Sequence, residues 1–263
     1  MVTLDRERNY RVEAIVIGRR EFREADRIVM LFSREHGKLH VIAKGARKPN
    51  ARSGPALEYF ARGRYMLARG RGDLDVVTSA ELLDRPVHLE DDLARLAYAS
   101  HVAELTGRLA QEGQTLPALY DLLNWALGAL GTLVTDQAVV RGFEVMALDQ
   151  VGYRMGLWNC SNCQADLAAE INFLGLQTGG LLCGNCRSSD GGRTLAVSLN
   201  AQKYLRLLMR EGIGGACRMN LAATLAFELE RLMSAYISTV LERDLTSLRV
   251  LREIRESSPE FHI

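Results

Sequence analysis

Short runs of aliphatic, aromatic and β-branched residues at 12–17, 28–32, 39–43, 59–67 and 74–83 are separated by Gly18, Gly37, Gly45, Gly54, Gly63 and Gly70. Runs of this length between turn-forming residues predict strands. After Pro86 the period changes. Leu119, Leu122, Leu123, Ala126, Leu127 and Leu130 fall at i, i+3, i+4, i+7, i+8 and i+11, which predicts one apolar stripe of a helix. Leu225, Leu229, Leu232, Tyr236 and Val240 repeat that stripe, with Asn220 as the expected N-cap. Residues 91–110, 136–153 and 199–211 are further helical segments. The two strong stripes have no strand pattern between them except beside a group of cysteines, so they are expected to share one helical bundle.

Five strands followed by helices give an α+β, multi-domain chain. Five is the strand number of an OB-fold barrel, with a small SH3-like barrel as the alternative that periodicity does not separate from it. The expected organisation is an OB-fold at 1–84, a helical domain at 85–157, a four-cysteine module at 158–195, the second part of the helical domain at 196–256, and a frayed tail at 257–263. A length of 263 residues suits more than one domain, and 48% hydrophobic residues suffice for real cores. No apolar run approaches the ~18–20 residues of a membrane-spanning helix. The start, MVTLDRERNYRVE, has charges where a secretory peptide carries its apolar stretch. A cytoplasmic protein is expected.

The net charge of +1 hides a division. Residues 1–80 hold 17 Lys and Arg against 10 Asp and Glu, a balance of +7, and the remainder carries −6. A basic barrel on an acidic body suggests polyanion binding. Arg19, Arg20, Arg23, Arg27, Arg34, Lys38, Lys44, Arg47, Lys48 and Arg52 fall within 34 residues and are the candidate phosphate contacts. Phe22, Tyr59, Phe60 and Tyr65 are candidate stacking residues, because single strands are held by cations on the backbone and by aromatic rings on the bases. A solvated charged surface with the aromatics in the core is the plainer alternative.

Cys160, Cys163, Cys183 and Cys186 are spaced C-x2-C, 19 residues, C-x2-C, the pattern of a four-thiolate zinc site. Two residues between cysteines let one tight turn aim both sulfurs at one ion, and residues 171–176 can form the hairpin that returns the chain. Four thiolates fill every position on zinc, so one structural ion is expected, with no open position to activate water. Cys217 stands alone and reads as a small apolar residue. His88-Leu89-Glu90 ahead of Cys160 imitates a zinc deaminase signature, but Asn159 replaces its proline and the second cysteine pair would saturate the metal. Asp91, Asp92, Asp73 and Asp75 could be metal ligands, but charged loop residues of this kind are usually just solvated. With no phosphate loop, nucleophile elbow or dinucleotide fingerprint, a binding protein rather than an enzyme is expected.

The run from Glu24 to Lys38, EADRIVMLFSREHGK, followed by Ala43-Lys44-Gly45-Ala46-Arg47-Lys48, resembles the N-terminal signature of the RecO DNA repair proteins. The order barrel, helices, cysteine module, helices resembles that family over essentially the whole chain. The resemblance implies an N-terminal OB-fold that binds single- and double-stranded DNA and anneals complementary strands. It implies partnership with RecR, contact with the tail of single-stranded DNA-binding protein, and help in loading RecA. It also implies zinc at the four cysteines, and DNA contact at Arg27, Arg34, Lys38, Lys44, Arg47 and Lys48. Arg19, Arg20 and Arg23 rest on charge alone. Arg187 and Arg193, beside the cysteines, are candidates for a second strand site. A zinc-containing RNA-binding or transcription accessory factor is the alternative.

Overall fold

The computed structural model describes residues 9–257 apart from 49–50, 52, 71, 73, 133–135 and 217–218. Arg52, Asp73, Cys217 and residues 258–263 of the expected tail therefore lie outside the described residues. The chain forms two compact units, Met1–His88 with Thr106–Leu127, and Leu89–Leu105 with Gly128–Ile263. The division falls inside α1 (Leu93–Leu109) and near the end of α2 (Pro117–Ala129).

In the first unit β1 (Asn9–Phe22), β2 (Asp26–Ser33), β3 (Gly37–Ala43), β4 (Arg62–Ala68) and β5 (Asp75–Asp84) close a barrel in the order β1-β2-β3-β5-β4. Only the β3·β5 pair is parallel. This is the five-stranded arrangement of an OB-fold. Alternate residues point inward, as strand geometry requires: Val12, Ala14 and Val16 of β1 meet Val29 and Leu31 of β2, Val41 of β3, and Tyr65 and Leu67 of β4. The buried Tyr65 hydroxyl donates to the Ala56 carbonyl at 2.6 Å, which satisfies it inside the core. β1 pairs with β4 only as far as Ile15, and its register with β2 shifts between Val16 and Gly18. Beyond that bulge the inward-facing register continues to Arg19, opposite Val29, and to Arg27, opposite Ala43. The apolar interior thus ends at a mouth lined by two arginines.

This unit also has a helical part. The stripe of α2, with Leu119, Leu123, Ala126 and Leu127 buried, groups with the barrel and not with the C-terminal helices. The β2–β3 turn is fastened there. Arg34 donates two hydrogen bonds to Asp121, each 3.0 Å, and Lys38 Nζ donates to the Gly107 carbonyl at 3.0 Å. His40 Nδ1 lies 2.8 Å from Glu112, and the rings of Phe32 and Tyr120 sit 6.3 Å apart.

The second unit contains α3 (Asp136–Gln150), α4 (Leu199–Ala216), α5 (Ala223–Leu241) and α6 (Thr246–Ser257). A three-stranded sheet, ordered β7-β6-β8, accompanies them, with β6 (Asn172–Gly175), β7 (Gly180–Leu182) and β8 (Thr194–Val197). The hairpin expected at 171–176 is thus wider: β6 returns through β7, and β8 adds a third strand. α4 is interrupted at Gly212, whose φ of 70° no side-chain-bearing residue adopts cheaply. α5 starts after Ala222, which offers no capping side chain, so Asn220 is not its N-cap. α6 was not expected from the sequence: its apolar residues are few among charges, although buried Leu248 and Leu251 share one face. Its first turn is held by Glu104, which accepts the N–H groups of Thr246 and Ser247 at 3.2 and 2.8 Å. Beneath it, fully buried Glu144 accepts from His101 at 2.7 Å and from Arg141 at 3.0 Å. Among the described residues no helix is long and apolar enough to cross a membrane.

Candidate nucleic-acid interface and metal centre

The nine basic candidates among the described residues do not form one patch. β2 runs from the β1–β2 turn to the β2–β3 turn, so residues at those turns occupy opposite ends of the strand. Arg34 and Lys38 lie at the β2–β3 end and are engaged with Asp121 and Gly107 as above. Burial holds the Lys38 ammonium below the usual lysine range. Both side chains fasten the barrel to the 106–127 segment.

At the other end the β1–β2 turn lies against the chain leaving β3. The Gly45 N–H donates to Asp26 Oδ1 at 2.9 Å, the Arg47 N–H donates to the Ala25 carbonyl at 3.1 Å, and Arg47 Nη1 donates to the Glu24 carbonyl at 3.1 Å. Arg47 also pairs with Glu21 at 3.3 Å. These contacts bring Arg20, Arg23, Lys44, Arg47 and Lys48 together, all exposed. Arg20, Arg23, Lys44 and Lys48 have no carboxylate partner among the described residues. Arg23 stands at φ 54° in the turn, with its guanidinium 5.3 Å from the Phe22 ring.

Arg19 and Arg27 differ from their neighbours. Both are half-buried and both bind Glu58: Arg19 through Nη1 to Oε2, and Arg27 through Nη1 to Oε1 at 3.1 Å. Burial pulls the Glu58 carboxyl upward, but the two guanidiniums together hold it below the usual carboxylate range. Of the four aromatic candidates, Tyr65 and Phe60 are core residues. Phe22 is half-buried, and Tyr59 is 37% exposed with Arg19 over its ring at 4.9 Å. Sequence reasoning passed over Glu58, because nothing local marks a carboxylate that serves arginines 31 and 39 positions away.

The second site is the cysteine cluster. The sulfurs of Cys160, Cys163, Cys183 and Cys186 all lie within 4.8 Å of one another, and Cys163 and Cys183 are 3.9 Å apart. Four sulfurs at ~2.3 Å from a central ion stand ~3.8 Å from each other in a tetrahedron, so the set fits a metal. Each pair sits on a tight turn. Gln164 donates its N–H to the Cys160 carbonyl at 2.9 Å, and Cys186 its N–H to the Cys183 carbonyl at 3.0 Å. The Ser161 N–H donates to the Leu181 carbonyl at 2.8 Å and fixes the first turn to β7. Burial raises the Cys160 thiol, but backbone N–H groups from Cys163, Cys183 and Asn162 overcome this and bring it down to about 6. The Asn162 amide donates to Cys186 at 3.3 Å and lowers that thiol, but desolvation and the three neighbouring sulfurs push it up to about 11. Crowded thiols of this kind become a full set of thiolates when a cation neutralises them. Asn162 was absent from the sequence reading.

Two of the other suggested ligands, Asp92 and Asp75, are engaged elsewhere. Asp92 accepts the N–H groups of Ala94 and Arg95 and caps α1. Asp75 accepts the Tyr10 hydroxyl at 2.6 Å and the Gly70 N–H at 3.0 Å. His88 and Glu90 do not join the cysteines, which are the cluster with metal-binding geometry among the described residues. Arg187 and Arg193 are exposed, Arg187 lying over the Phe173 ring at 4.9 Å.

The sequence matches the family profile Recombination protein O N terminal over residues 8–86 and Recombination protein O C terminal over residues 90–249. A protein named DNA repair protein RecO from Roseiflexus sp. (strain RS-1) is 36% identical over 251 residues, covering 95% of this chain and 88% of the relative. Proteins of the same name from Symbiobacterium thermophilum and Desulforudis audaxviator are 35% and 36% identical, covering 94% and 95% of this chain and 98% and 99% of theirs. With both halves matched in order and relatives aligned nearly end to end, the chain belongs to the RecO family of DNA repair proteins.

Proposed function

We propose that this chain is a recombination mediator that binds single- and double-stranded DNA and anneals complementary strands. With RecR it would assist RecA in loading onto DNA coated by single-stranded DNA-binding protein. The observation that carries the reading is the cluster of Arg20, Arg23, Lys44, Arg47 and Lys48 at one end of the barrel, on a chain of this family. Exposed cations on two adjoining loops hold phosphates without reading base sequence. Annealing needs no covalent step. It needs the repulsion between two backbones to be neutralised while the bases stay free to pair, so no catalytic group is invoked. Arg187 and Arg193 supply a second strand contact in this reading.

Cys160, Cys163, Cys183 and Cys186 would hold one zinc ion, since a closed four-sulfur set suits that soft, redox-inert metal. The ion would tie the two turns to the β6–β7 hairpin, and the residues leave no ligand position for water.

The test is an annealing time course with two complementary oligonucleotides, bare and coated with single-stranded DNA-binding protein, without nucleotide or added metal. Fast annealing of both is expected. Binding without annealing would overturn the mediator reading, and equal affinity for RNA would favour an RNA-binding factor. A charge-reversal pair, Arg187→Glu with Arg193→Glu, is expected to slow annealing; unchanged annealing removes the second strand site.

A further inference from the structure

Strands β1 and β2 carry their inward register past the bulge to Arg19 and Arg27, so the barrel mouth is lined by charges on the face that is apolar deeper in. The segment that closes this mouth is residues 58–61. It is clamped to β1 by two backbone hydrogen bonds, Val16 N–H to the Ala61 carbonyl and Phe60 N–H to the Val16 carbonyl, both 2.9 Å. The Ala61 N–H closes the turn on the Glu58 carbonyl at 3.2 Å. Phe60 stands in the left-handed region at φ 65°, where a bulky side chain is costly. Such strain persists only where the surroundings over-determine it, and it gathers at ligand sites. Here the conformation sends Phe60 into the core and leaves Glu58 and Tyr59 at the mouth.

The two displayed side chains form one assembly with the arginines. Glu58 fixes both guanidiniums. Arg19 lies over the Tyr59 ring at 4.9 Å, and the Tyr59 hydroxyl donates to the Arg19 carbonyl at 3.3 Å. Phe60 supports the same ring from 5.7 Å. Tyr59 is therefore a fixed ring with 37% of the residue open to solvent, beside cations. A ring held this way, with no rotamer freedom to lose on binding, is a platform for a flat π-system.

We infer that the Arg19–Tyr59–Glu58–Arg27 assembly at the barrel mouth is a stacking site for an unpaired nucleobase. It makes the barrel favour single strands over duplex. In a duplex the base faces are covered by their neighbours, so only an unpaired base reaches the ring. The Arg20–Lys44 cluster takes the flanking phosphates of either form. Glu58 is a positioning residue: it keeps Arg19 over Tyr59 and neutralises charge that would otherwise bind phosphate indiscriminately. This inference rests on the DNA-binding reading above.

Anisotropy titrations of the full chain would use three labelled probes: a single strand, an abasic strand of the same length, and a duplex. Tyr59→Leu is expected to weaken binding of the base-bearing strand about tenfold and to leave the abasic strand and the duplex unchanged. Tyr59→Phe is expected to behave as the parent protein. Glu58→Gln is expected to narrow the preference for base-bearing over abasic strand without weakening the abasic complex. A Tyr59→Leu variant that loses all three probes equally, or none, overturns the stacking site while the DNA-binding reading stands. A parent protein that binds none of the three overturns that reading first. Matched circular dichroism and melting of each variant separates lost contact from lost fold; a Glu58→Gln variant weakened on all three probes assigns Glu58 to structure alone.

Discussion

At the scale of single residues, the basic side chains separate by what they already touch. Arg34 resembles a DNA contact in its sequence motif, yet its fork is filled by Asp121 through two 3.0 Å hydrogen bonds. Arg20 and Lys44 have no such partner, so Arg20→Ala and Lys44→Ala should each weaken binding of a short oligonucleotide more than Arg34→Ala does. The Arg34–Asp121 pair is exposed on both sides, so solvent screens it and it adds little to stability. Glu58 gives a pH-dependent counterpart. Its folded carboxyl lies below the usual range, so its contribution is present above the unfolded value of about 4.3 and is lost as pH falls through the lower folded one. Glu58→Gln should therefore melt below the parent protein at pH 7, and the two melting curves should converge in acid below about pH 4. A constant gap from pH 7 to pH 3 would remove the ion pairs as its cause.

At the scale of elements, the β2–β3 turn fixes how the barrel meets its own helical segment. Gly37 has φ 65°, and a Cβ there would collide with the Gln114 carbonyl. Gly37→Ala combines a disfavoured backbone with a contact that cannot give way. It should destabilise the chain by more than about 1 kcal/mol, read as a lower midpoint in urea. The strands around this turn were legible in the sequence because alternation and glycine punctuation are local. The stripe of α2 was legible too, but Leu119 and Leu123 declare only that a face is buried; they do not say against what, and the stripe belongs with the barrel. α6 escaped notice because Arg249, Arg252, Glu253, Arg255 and Glu256 outnumber buried Leu248 and Leu251, and its anchor, Glu104, is more than 140 positions away. The candidate metal site was legible through spacing alone, since C-x2-C turns are local. The sorting of the cations was not, because Glu58 and Asp121 reach their arginines only through the fold.

At the scale of the whole molecule, the barrel's cation cluster and the cysteine set that could hold a metal lie on different units. Arg20, Arg23, Lys44, Arg47 and Lys48 belong to the first unit, and the four cysteines, with Arg187 and Arg193 beside them, to the second. Four exposed cations without carboxylate partners, at about −0.7 in log affinity per log salt each, give a single-strand slope near −3. If the metal serves only to fold the second unit, Cys160→Ala or a strong chelator should lower the helical circular dichroism of the chain. It should leave that slope and the single-strand affinity of the barrel in place. Annealing is the property that must separate from binding under this treatment. A chain stripped of metal keeps the cluster of Arg20, Arg23, Lys44 and Lys48 but loses the framework that carries Arg187 and Arg193. It should still bind one strand while it anneals two more slowly. The measurement is a salt titration of affinity run beside an annealing time course on the same chelated sample. A flattened slope would show that the module around the cysteines itself supplies phosphate contacts to the first strand. An unchanged annealing rate would place both strands on the barrel and leave the metal with no part in either.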